Sequence, residues 1–289
     1  MRGANLKFQS AINLKFIIFC FVFICLAFLI VRSSFSSSSE NSKETLMSYV
    51  KTQNCPCNKI PPSLSDTIIH YATSNITPQQ TAKEISVTER ILRRKSPSNF
   101  LVFGLGRDSL MWASLNHGGR TVFLEENEGW ISEIKAQFPT LESYLATYDT
   151  KVRHSDDLMT SAVTSEECSN VVDPRKSKCN LALKSLPNEI YEVEWDLIMV
   201  DAPTGYHDEA PGRMSAIYTA GLMGRNREVG ETDVFVHDVN RVVEDKFSME
   251  FLCEGYMIQQ EGRLRHFTIP SHKARRGRPF CPPPKPNST

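Results

Sequence analysis

The sequence lacks a net charge. Its 289 residues contain 33 Lys and Arg against 33 Asp and Glu, and its pI is near 7.0. Nucleic-acid binding depends on positive charge concentrated against phosphates, so this composition gives no reason to expect a nucleic-acid partner. The sequence also has no internal repeat, and its length allows one large domain or two small ones.

Two common site patterns are missing. No GxSxG nucleophile elbow occurs, so serine-hydrolase chemistry is not supported. Cys55 and Cys57 form a CxC pair that could suggest a metal, but no second CxxC or His pair completes a zinc site. We therefore interpret the cysteines outside the apolar N-terminal run as structural. Cys168 with Cys179 is the disulfide that we favour, because it would close a short polar loop.

One long hydrophobic run is present, at residues 16–31. As a helix it would cover roughly 24 Å of a ~30 Å hydrocarbon core, and the stem of Lys15 could extend the span. A cleaved signal peptide is the alternative, but Arg32 and a serine tract follow the run where a small-x-small cleavage site is expected. Arg2, Lys7 and Lys15 precede the run, which favours a cytosolic N-terminus and a lumenal or extracellular body.

These features divide the chain into five predicted segments. They are a cytosolic tail at 1–15, a transmembrane signal anchor at 16–31, a serine-rich stem at 32–60, a lumenal domain at 61–281 and a tail at 282–289. In a lumenal body the sequons at Asn75 and Asn287 would be available for glycosylation.

The predicted domain alternates short apolar runs with helix-compatible segments. Polar or acidic side chains follow each of four strand-like runs, at 100–103, 121–124, 195–200 and 233–236. This pattern predicts an α/β fold with a parallel sheet that binds ligands at the carboxyl ends of its strands. Two short helices are expected between Leu64 and Leu92, separated near Thr77 and Pro78.

The first two runs form the strongest candidate site. Gly104 and Gly106 follow the first run, and Glu125 and Glu126 end the second, 21 and 22 residues after Gly104. Glycines allow the backbone to approach a ligand, and a carboxylate at this spacing can bind ribose hydroxyls, so the pattern predicts an adenosine site. The third glycine of dinucleotide sites is missing, and a simple tight turn is the alternative. The pattern does not separate Glu125 from Glu126.

The other two runs end in residues that could carry chemistry. Asp201 follows the third run, and His237 and Asp238 follow the fourth, so all three are expected at one sheet edge. Asp201 could orient a hydroxyl, accept its proton or hold a metal, or it could be a helix N-cap or turn acid before Pro203. His237 and Asp238 could supply a base or a metal ligand, or His237 could be a satisfied core histidine.

Four longer motifs resemble the plant glucuronoxylan 4-O-methyltransferases, a group of polysaccharide-biosynthesis methyltransferases. They are NFLVFGLGRDSLMWASLNHGGRTVFLEE at 99–126, WDLIMVDAPTGYHDEAPGRM at 195–214, VFVHDVNR at 234–241 and GRLRHFTIP at 262–270. The resemblance covers roughly Pro61 to Cys281. Relatives in the larger family act on arabinogalactan, and others are implicated in xylan deposition without clear methyltransferase activity.

The resemblance implies a Rossmann-like methyltransferase sheet behind a single N-terminal transmembrane helix in the Golgi membrane. It implies methyl transfer from S-adenosylmethionine to O-4 of glucuronic acid on xylan, with Gly104 and Gly106 near the cofactor and Glu125 or Glu126 on its ribose. We predict Asp201 or His237 as the base and Asp238 as its partner, with a divalent metal on Asp201 and Asp238 as a variant. Arg213 is the first candidate for binding the uronate, and His207 is the second residue that we predict to bind the acceptor.

Overall fold

The computed structural model describes residues 60–275 and 277–283. The predicted cytosolic tail, membrane anchor and almost all of the stem lie outside these residues, as does Asn287. Across 60–275 and 277–283, none of the helices is both long enough and apolar enough to span a bilayer.

The described part contains eight α-helices and seven strands. In chain order these are α1 Pro62–Thr73, α2 Ala82–Lys95, β1 Asn99–Phe103, α3 Ser109–Leu115, β2 Arg120–Glu125, α4 Glu128–Gln137, β3 Glu142–Leu145, α5 Ser155–Val163, α6 Asn188–Glu192, β4 Leu197–Val200, α7 Met214–Asn226, β5 Glu231–Val236, α8 Val242–Phe247, β6 Met257–Glu261 and β7 Leu264–Pro270. A π-helical turn, Ser248–Cys253, continues α8.

The strands form one mixed sheet in the order β3-β2-β1-β4-β5-β7-β6. Strands β1 to β5 pair in parallel, whereas β7 is antiparallel to β5 and to β6. The order matches the doubly wound Rossmann order except that β7 is inserted next to β5. The predicted α/β sheet and its four parallel strands are therefore confirmed.

Strands β3, β6 and β7 were not predicted from the sequence. Strand β6 alternates half-buried and exposed residues, so it lacks the continuous apolar run by which β1, β2, β4 and β5 were recognised. Strand β3 has only one buried residue.

Both faces of the sheet are covered by helices. In β1 the alternation of side chains places Leu101 and Phe103 in one apolar cluster, with residues of α7, and Phe100 and Val102 in a second, with residues of α2. Because the central strands are buried on both faces, polar ligands can reach the sheet only at its strand ends.

The two predicted N-terminal helices are also confirmed, as α1 and α2. The break between them covers residues 74–81, and a capping box begins α2. Glu84 N donates to Thr81 Oγ1 at 3.3 Å, and Thr81 N donates to Glu84 Oε2 at 2.6 Å. This cap fixes the segment that crosses the carboxyl edge of the sheet.

Two disulfides cross-link the described part of the chain, and three of their four cysteines are buried in the first apolar cluster. The structure joins Cys168 to Cys179, the pair favoured from the sequence, and also joins Cys253 to Cys281.

Candidate functional site

A cavity of about 420 Å³ lies at the carboxyl edge of the sheet. We call it the edge cavity. The loop after β1, the end of β2 and the start of the loop after β4 form its floor, and Ile76–Gln79, from the break between α1 and α2, forms another wall. The parallel strands thus bring together residues that are far apart in sequence.

The loop after β1, residues 104–108, is called the glycine loop below, and its backbone conformation requires a glycine at position 104. Gly104 has a φ of +127°, and a Cβ on it would lie 3.3 Å from Ala202 Cβ. A Cβ on Gly106 would lie 2.8 Å from Asp108 Oδ1. At Gly104 the backbone can therefore turn and approach the loop after β4 only without a side chain, whereas a Cβ on Gly106 would require the carboxylate of Asp108 to move.

The structure distinguishes Glu125 from Glu126, which the sequence could not do, because only Glu125 lines the edge cavity. Glu125 is buried, lines the edge cavity and accepts hydrogen bonds from Leu105 N at 3.2 Å and Asn127 N at 3.0 Å. Burial raises the pKa of Glu125 above its usual value. Glu126 instead accepts a hydrogen bond from Thr204 N at 2.9 Å and holds the loop after β4.

Two further side chains of the edge cavity were missed from the sequence. Asp108 accepts a hydrogen bond from Trp112 Nε1 at 2.9 Å, and burial together with the charge of Asp201 raises its pKa. Trp130 donates its Nε1 hydrogen to Leu105 O at 2.6 Å. The cavity therefore combines indole rings with carboxylates, which suits a ligand that carries both apolar and positively charged parts.

Asp201 is the catalytic candidate that faces the edge cavity. Its Oδ1 lies 3.0 Å from His237 Nδ1 and 3.2 Å from Arg213 Nη2, and its Oδ2 accepts a hydrogen bond from Gln80 Nε2 at 3.1 Å. Burial by itself would raise the pKa of Asp201, but the hydrogen bond to His237 and the charge of Arg213 bring it below its usual value. The carboxylate is therefore ionised at neutral pH and aimed into the cavity.

His237 lies behind Asp201 and is fully buried. Its Nε2 is 3.8 Å from Glu84 Oε2 and has no hydrogen-bond partner among the described residues. The imidazole thus stands between two carboxylates and does not line the cavity. This placement makes Asp201, and not His237, the group that an acceptor hydroxyl would meet first.

Asp238 is surrounded by three arginines, which we call the arginine cluster. Its Oδ2 lies 3.0 Å from Arg213 Nη2 and 2.8 Å from Arg241 Nη2, and its Oδ1 accepts a hydrogen bond from Arg263 Nη1 at 2.6 Å. Asp238 has a φ of +61°, a conformation that aspartate tolerates better than most residues. The carboxylate is therefore committed to these arginines.

This arrangement does not fit a divalent metal between Asp201 and Asp238. The carboxylates of these residues and His237 offer atoms within 4.8 Å of one another, which is compatible with metal binding by distance alone. However, Arg213 Nη2 contacts both carboxylates and already supplies the positive charge between them. We derive no chemistry from a metal at this position.

The two residues predicted to bind the acceptor lie in different environments. Arg213 is 4% exposed, and besides the carboxylates it donates to His237 O at 2.8 Å and to Asp201 O. His207 is exposed beside Tyr206, whose side chain is 75% exposed. The structure therefore leaves His207 accessible, whereas Arg213 is held within the protein.

Comparison with known proteins identifies the family. A sequence model described as IRX15/IRX15L/GXM matches residues 83–267. The chain belongs to this family. It is 62% identical over 288 residues to "Glucuronoxylan 4-O-methyltransferase 3" of Arabidopsis thaliana, covering 96% of this chain and 97% of the relative. It is 52% identical over 210 residues to "Arabinogalactan O-methyltransferase 1" of the same plant, covering 70% and 71% of the two chains.

The IRX15/IRX15L/GXM chain also resembles solved structures at low identity. One is a putative caffeoyl-CoA O-methyltransferase from Staphylococcus aureus, with 12% identity, a TM-score of 0.39 and coverage of 80% of this chain and 99% of that one.

Gln80 and Glu84 contact Asp201 and His237 at the sheet edge, and neither residue was predicted from the sequence to belong to the site. Both are buried and lie more than a hundred residues from Asp201 and His237 in sequence, Gln80 in the break before α2 and Glu84 in the first turn of α2. The Thr81–Glu84 capping box was visible in the sequence, but a cap signal gives no indication that the same glutamate faces a histidine across the sheet edge.

Proposed function

We propose that this protein transfers a methyl group from S-adenosylmethionine to O-4 of glucuronic acid side chains on glucuronoxylan during plant cell-wall biosynthesis. Two observations support this: the 62% identity to a relative named for that activity, and the edge cavity with Asp201 at its inner end.

The edge cavity fits the cofactor. Glu125 lies where a carboxylate can accept hydrogen bonds from ribose hydroxyls, and Gly104 and Gly106 allow close approach of the backbone. S-adenosylmethionine, when bound, supplies a methyl group on a positively charged sulfur. The carboxylates of Asp108 and Asp201, which also line the cavity, would favour that charge over a neutral ligand.

Asp201 is the group that orients the acceptor in this proposal. Its ionised carboxylate can accept a hydrogen bond from the O-4 hydroxyl and take its proton as the oxygen attacks the methyl carbon in line with the departing sulfur. His237 holds Oδ1 of Asp201 and Gln80 holds Oδ2, so the carboxylate keeps one orientation. We propose His237 as the positioning partner and Asp238 as the anchor of the arginine cluster.

We further propose a Golgi location as a single-pass type II membrane protein with a lumenal catalytic domain. The apolar run at 16–31, the basic residues before it and the cysteine usage support this topology. Asn75 is exposed in the structure, so its sequon would be accessible for glycosylation.

The test is an assay of the full-length protein in detergent with methyl-labelled S-adenosylmethionine. Glucuronoxylan and arabinogalactan are offered separately, with and without a chelator, and the labelled sugar is identified by linkage analysis.

We expect label at O-4 of xylan glucuronic acid. Label only on arabinogalactan would mean that the protein methylates glucuronic acid on arabinogalactan instead of on xylan. No transfer to either polymer by folded protein that also fails to bind the cofactor would indicate a non-catalytic role in xylan synthesis. Loss of activity with the chelator would show that the activity depends on a metal, and would contradict the conclusion that the contacts of Asp201 and Asp238 leave no room for one.

A further inference from the structure

A uronic acid acceptor places two demands on the site, and this inference rests on the proposed function. The carboxyl group of glucuronic acid is attached to C5, next to the C4 that carries the methylated hydroxyl. The group that takes the O-4 proton and the cation that binds the carboxylate must therefore be neighbours in the protein. With Asp201 facing O-4, the cation has to lie beside Asp201.

Arg213 does not meet this demand. Its side chain is 5% exposed, and its guanidinium is bonded to Asp201, Asp238 and the carbonyl oxygen of His237. Because its side chain is almost fully buried among these partners, an acceptor carboxylate cannot reach the guanidinium of Arg213 without displacing them.

The other two members of the arginine cluster are different. The side chains of Arg241 and Arg263 are 30% and 39% exposed. Each has one guanidinium nitrogen on the buried carboxylate of Asp238, at 2.8 Å and 2.6 Å. Arg241 Nη1 also lies 3.7 Å from Glu244 Oε1, and Arg263 Nε lies 4.0 Å from Glu84 Oε1. A guanidinium has five N–H donors, so both arginines retain donors that can reach a ligand.

Their position relative to Asp201 also fits. Asp238 offers a carboxylate atom within 4.8 Å of one from Asp201, and both arginines contact Asp238. Arg263 Nη2 also donates to Gln79 O at 2.7 Å, in the wall of the edge cavity. On the other side, Arg241 Nη1 lies 3.6 Å from where a Cβ of Gly205 would be, in the loop that follows Asp201. Both arginines are therefore linked to Asp201 through Asp238, and they reach segments on two sides of it, at Gln79 and at Gly205.

Other cations near this edge are less suitable. Lys151 pairs with Glu209 at 2.6 Å, and Arg153 pairs with the same glutamate. Arg107 lies on the glycine loop with its guanidinium 5.9 Å from the ring of Trp130, on the side of the cavity where the cofactor is proposed to bind.

We propose that Arg241 and Arg263 bind the carboxylate of the uronic acid acceptor, and that Asp238 is the buried residue that positions both guanidinium groups. These two arginines then make the enzyme prefer a uronic acid over the corresponding neutral hexose. A carboxylate bound by two pre-aligned arginines is a strong, charge-assisted contact.

The experiment compares two acceptors with the full-length protein. One is a xylo-oligosaccharide bearing glucuronic acid, and the other is the same oligosaccharide after reduction of the carboxyl group to a primary alcohol. The variants are Arg241→Gln, Arg263→Gln and the double variant. The matched control is Arg93→Gln, because the Arg93 side chain is 70% exposed and pairs with Glu89 on the outer surface of α2.

We expect each single variant to lower kcat/KM for the acidic acceptor by roughly ten- to a hundredfold, mainly through KM, because a charged hydrogen-bond partner is lost. Activity on the neutral acceptor should fall much less than activity on the acid, so the preference for the acid disappears in the double variant. Arg93→Gln should keep the preference. Equal losses on both acceptors, or no loss on the acid, would overturn the proposal.

Binding of both oligosaccharides is measured by calorimetry in the presence of S-adenosylhomocysteine, so that the proposal does not depend on turnover. Weaker binding of the acid alone in the variants supports it, and unchanged binding contradicts it. Wild-type protein that binds the acid but transfers no methyl group would contradict the proposed function without contradicting the inference. Should Arg263→Gln fail to fold, because Arg263 also contacts Gln79, the Arg241→Gln variant carries the test.

Discussion

At the ends of β1 and β2, the carboxylates of Asp108 and Glu125 face a cavity, whereas at the end of β5 the carboxylate of Asp238 is enclosed by three arginines. The same sheet edge thus contains a half that is open to a ligand and a half that is largely paired within the protein. Asp201, at the end of β4, belongs to both, because it lines the edge cavity and contacts Arg213 and His237.

The difference indicates separate tasks. Groups that line the open half can bind a ligand directly, whereas most groups of the paired half hold one another in place and can act only through the few atoms that they expose. Changes in the open half should therefore alter cofactor affinity. Changes in the paired half should alter turnover, acceptor preference or the free energy of unfolding.

The largest expected effect is on Asp201, where the two halves meet. Asp201→Asn preserves the shape of the side chain but removes the proton acceptor, so we expect kcat to fall by about 10²- to 10⁴-fold. Affinity for S-adenosylhomocysteine should change much less. Steady-state kinetics and calorimetry measure the two quantities, and the exposed Asp149→Asn serves as the control. Undiminished kcat in Asp201→Asn protein would refute the assigned role.

The next effect is on stability, from Arg213→Gln. This change leaves the buried carboxylates of Asp201 and Asp238 without their shared cation, and the loss of one member of a buried ion pair costs about 3–5 kcal/mol. Denaturant unfolding should show a lower free energy of unfolding by that order, and Arg93→Gln should show almost none. A change below about 1 kcal/mol would mean that Arg213 is not required for stability. Arg213 would then again be a candidate for binding the acceptor carboxylate, as predicted from the sequence.

The sequence predicted which residues reach the sheet edge better than it predicted the contacts that they make there. Gly104, Glu125, Asp201 and His237 follow strands recognisable from their apolar runs, and parallel strands must bring their carboxyl ends to one edge. Periodicity can indicate which edge a residue reaches, but it cannot show which partner the side chain meets there.

Arg213 and Gln80 illustrate what could not be predicted. Arg213 follows a Pro-Gly turn near the edge, and a surface position was the ordinary expectation for an arginine. Its burial follows from the carboxylates of Asp201 and Asp238, which come from two other loops. Gln80 reaches Asp201 across 121 positions of sequence, and no local pattern specifies such a contact.

A smaller effect distinguishes the two adjacent glutamates of the open half. Glu125→Gln removes a charged acceptor from the edge cavity, so we expect affinity for S-adenosylhomocysteine to fall about tenfold. Glu126→Gln should leave that affinity nearly unchanged, because Glu126 is bonded to the backbone of Thr204 instead. Calorimetric titration of both variants makes the comparison, and the reverse ranking would place the ribose on Glu126.

The smallest effect is a pH dependence far from either half, at His272. Burial and the charge of Arg225 lower the pKa of His272 to about 4, below the ordinary value of about 6.5. The folded protein therefore prefers the neutral ring, and the stability that this contributes is present above pH 6.5 and is lost as the pH falls towards 4. His272→Asn should flatten the free energy of unfolding against pH within that window. The same slope in wild type and variant would contradict this, and His117→Asn, on an exposed residue, is the control.

The most direct test of the account is a crystal structure with S-adenosylhomocysteine and a glucuronic-acid-bearing xylo-oligosaccharide bound together. We predict the ribose hydroxyls against Glu125, and O-4 of the uronic acid within about 3 Å of the Asp201 carboxylate. An O-4 that lies away from Asp201, or a cofactor outside the edge cavity, would contradict the account. In that account the open half of the sheet edge binds the cofactor and the paired half aligns the acceptor.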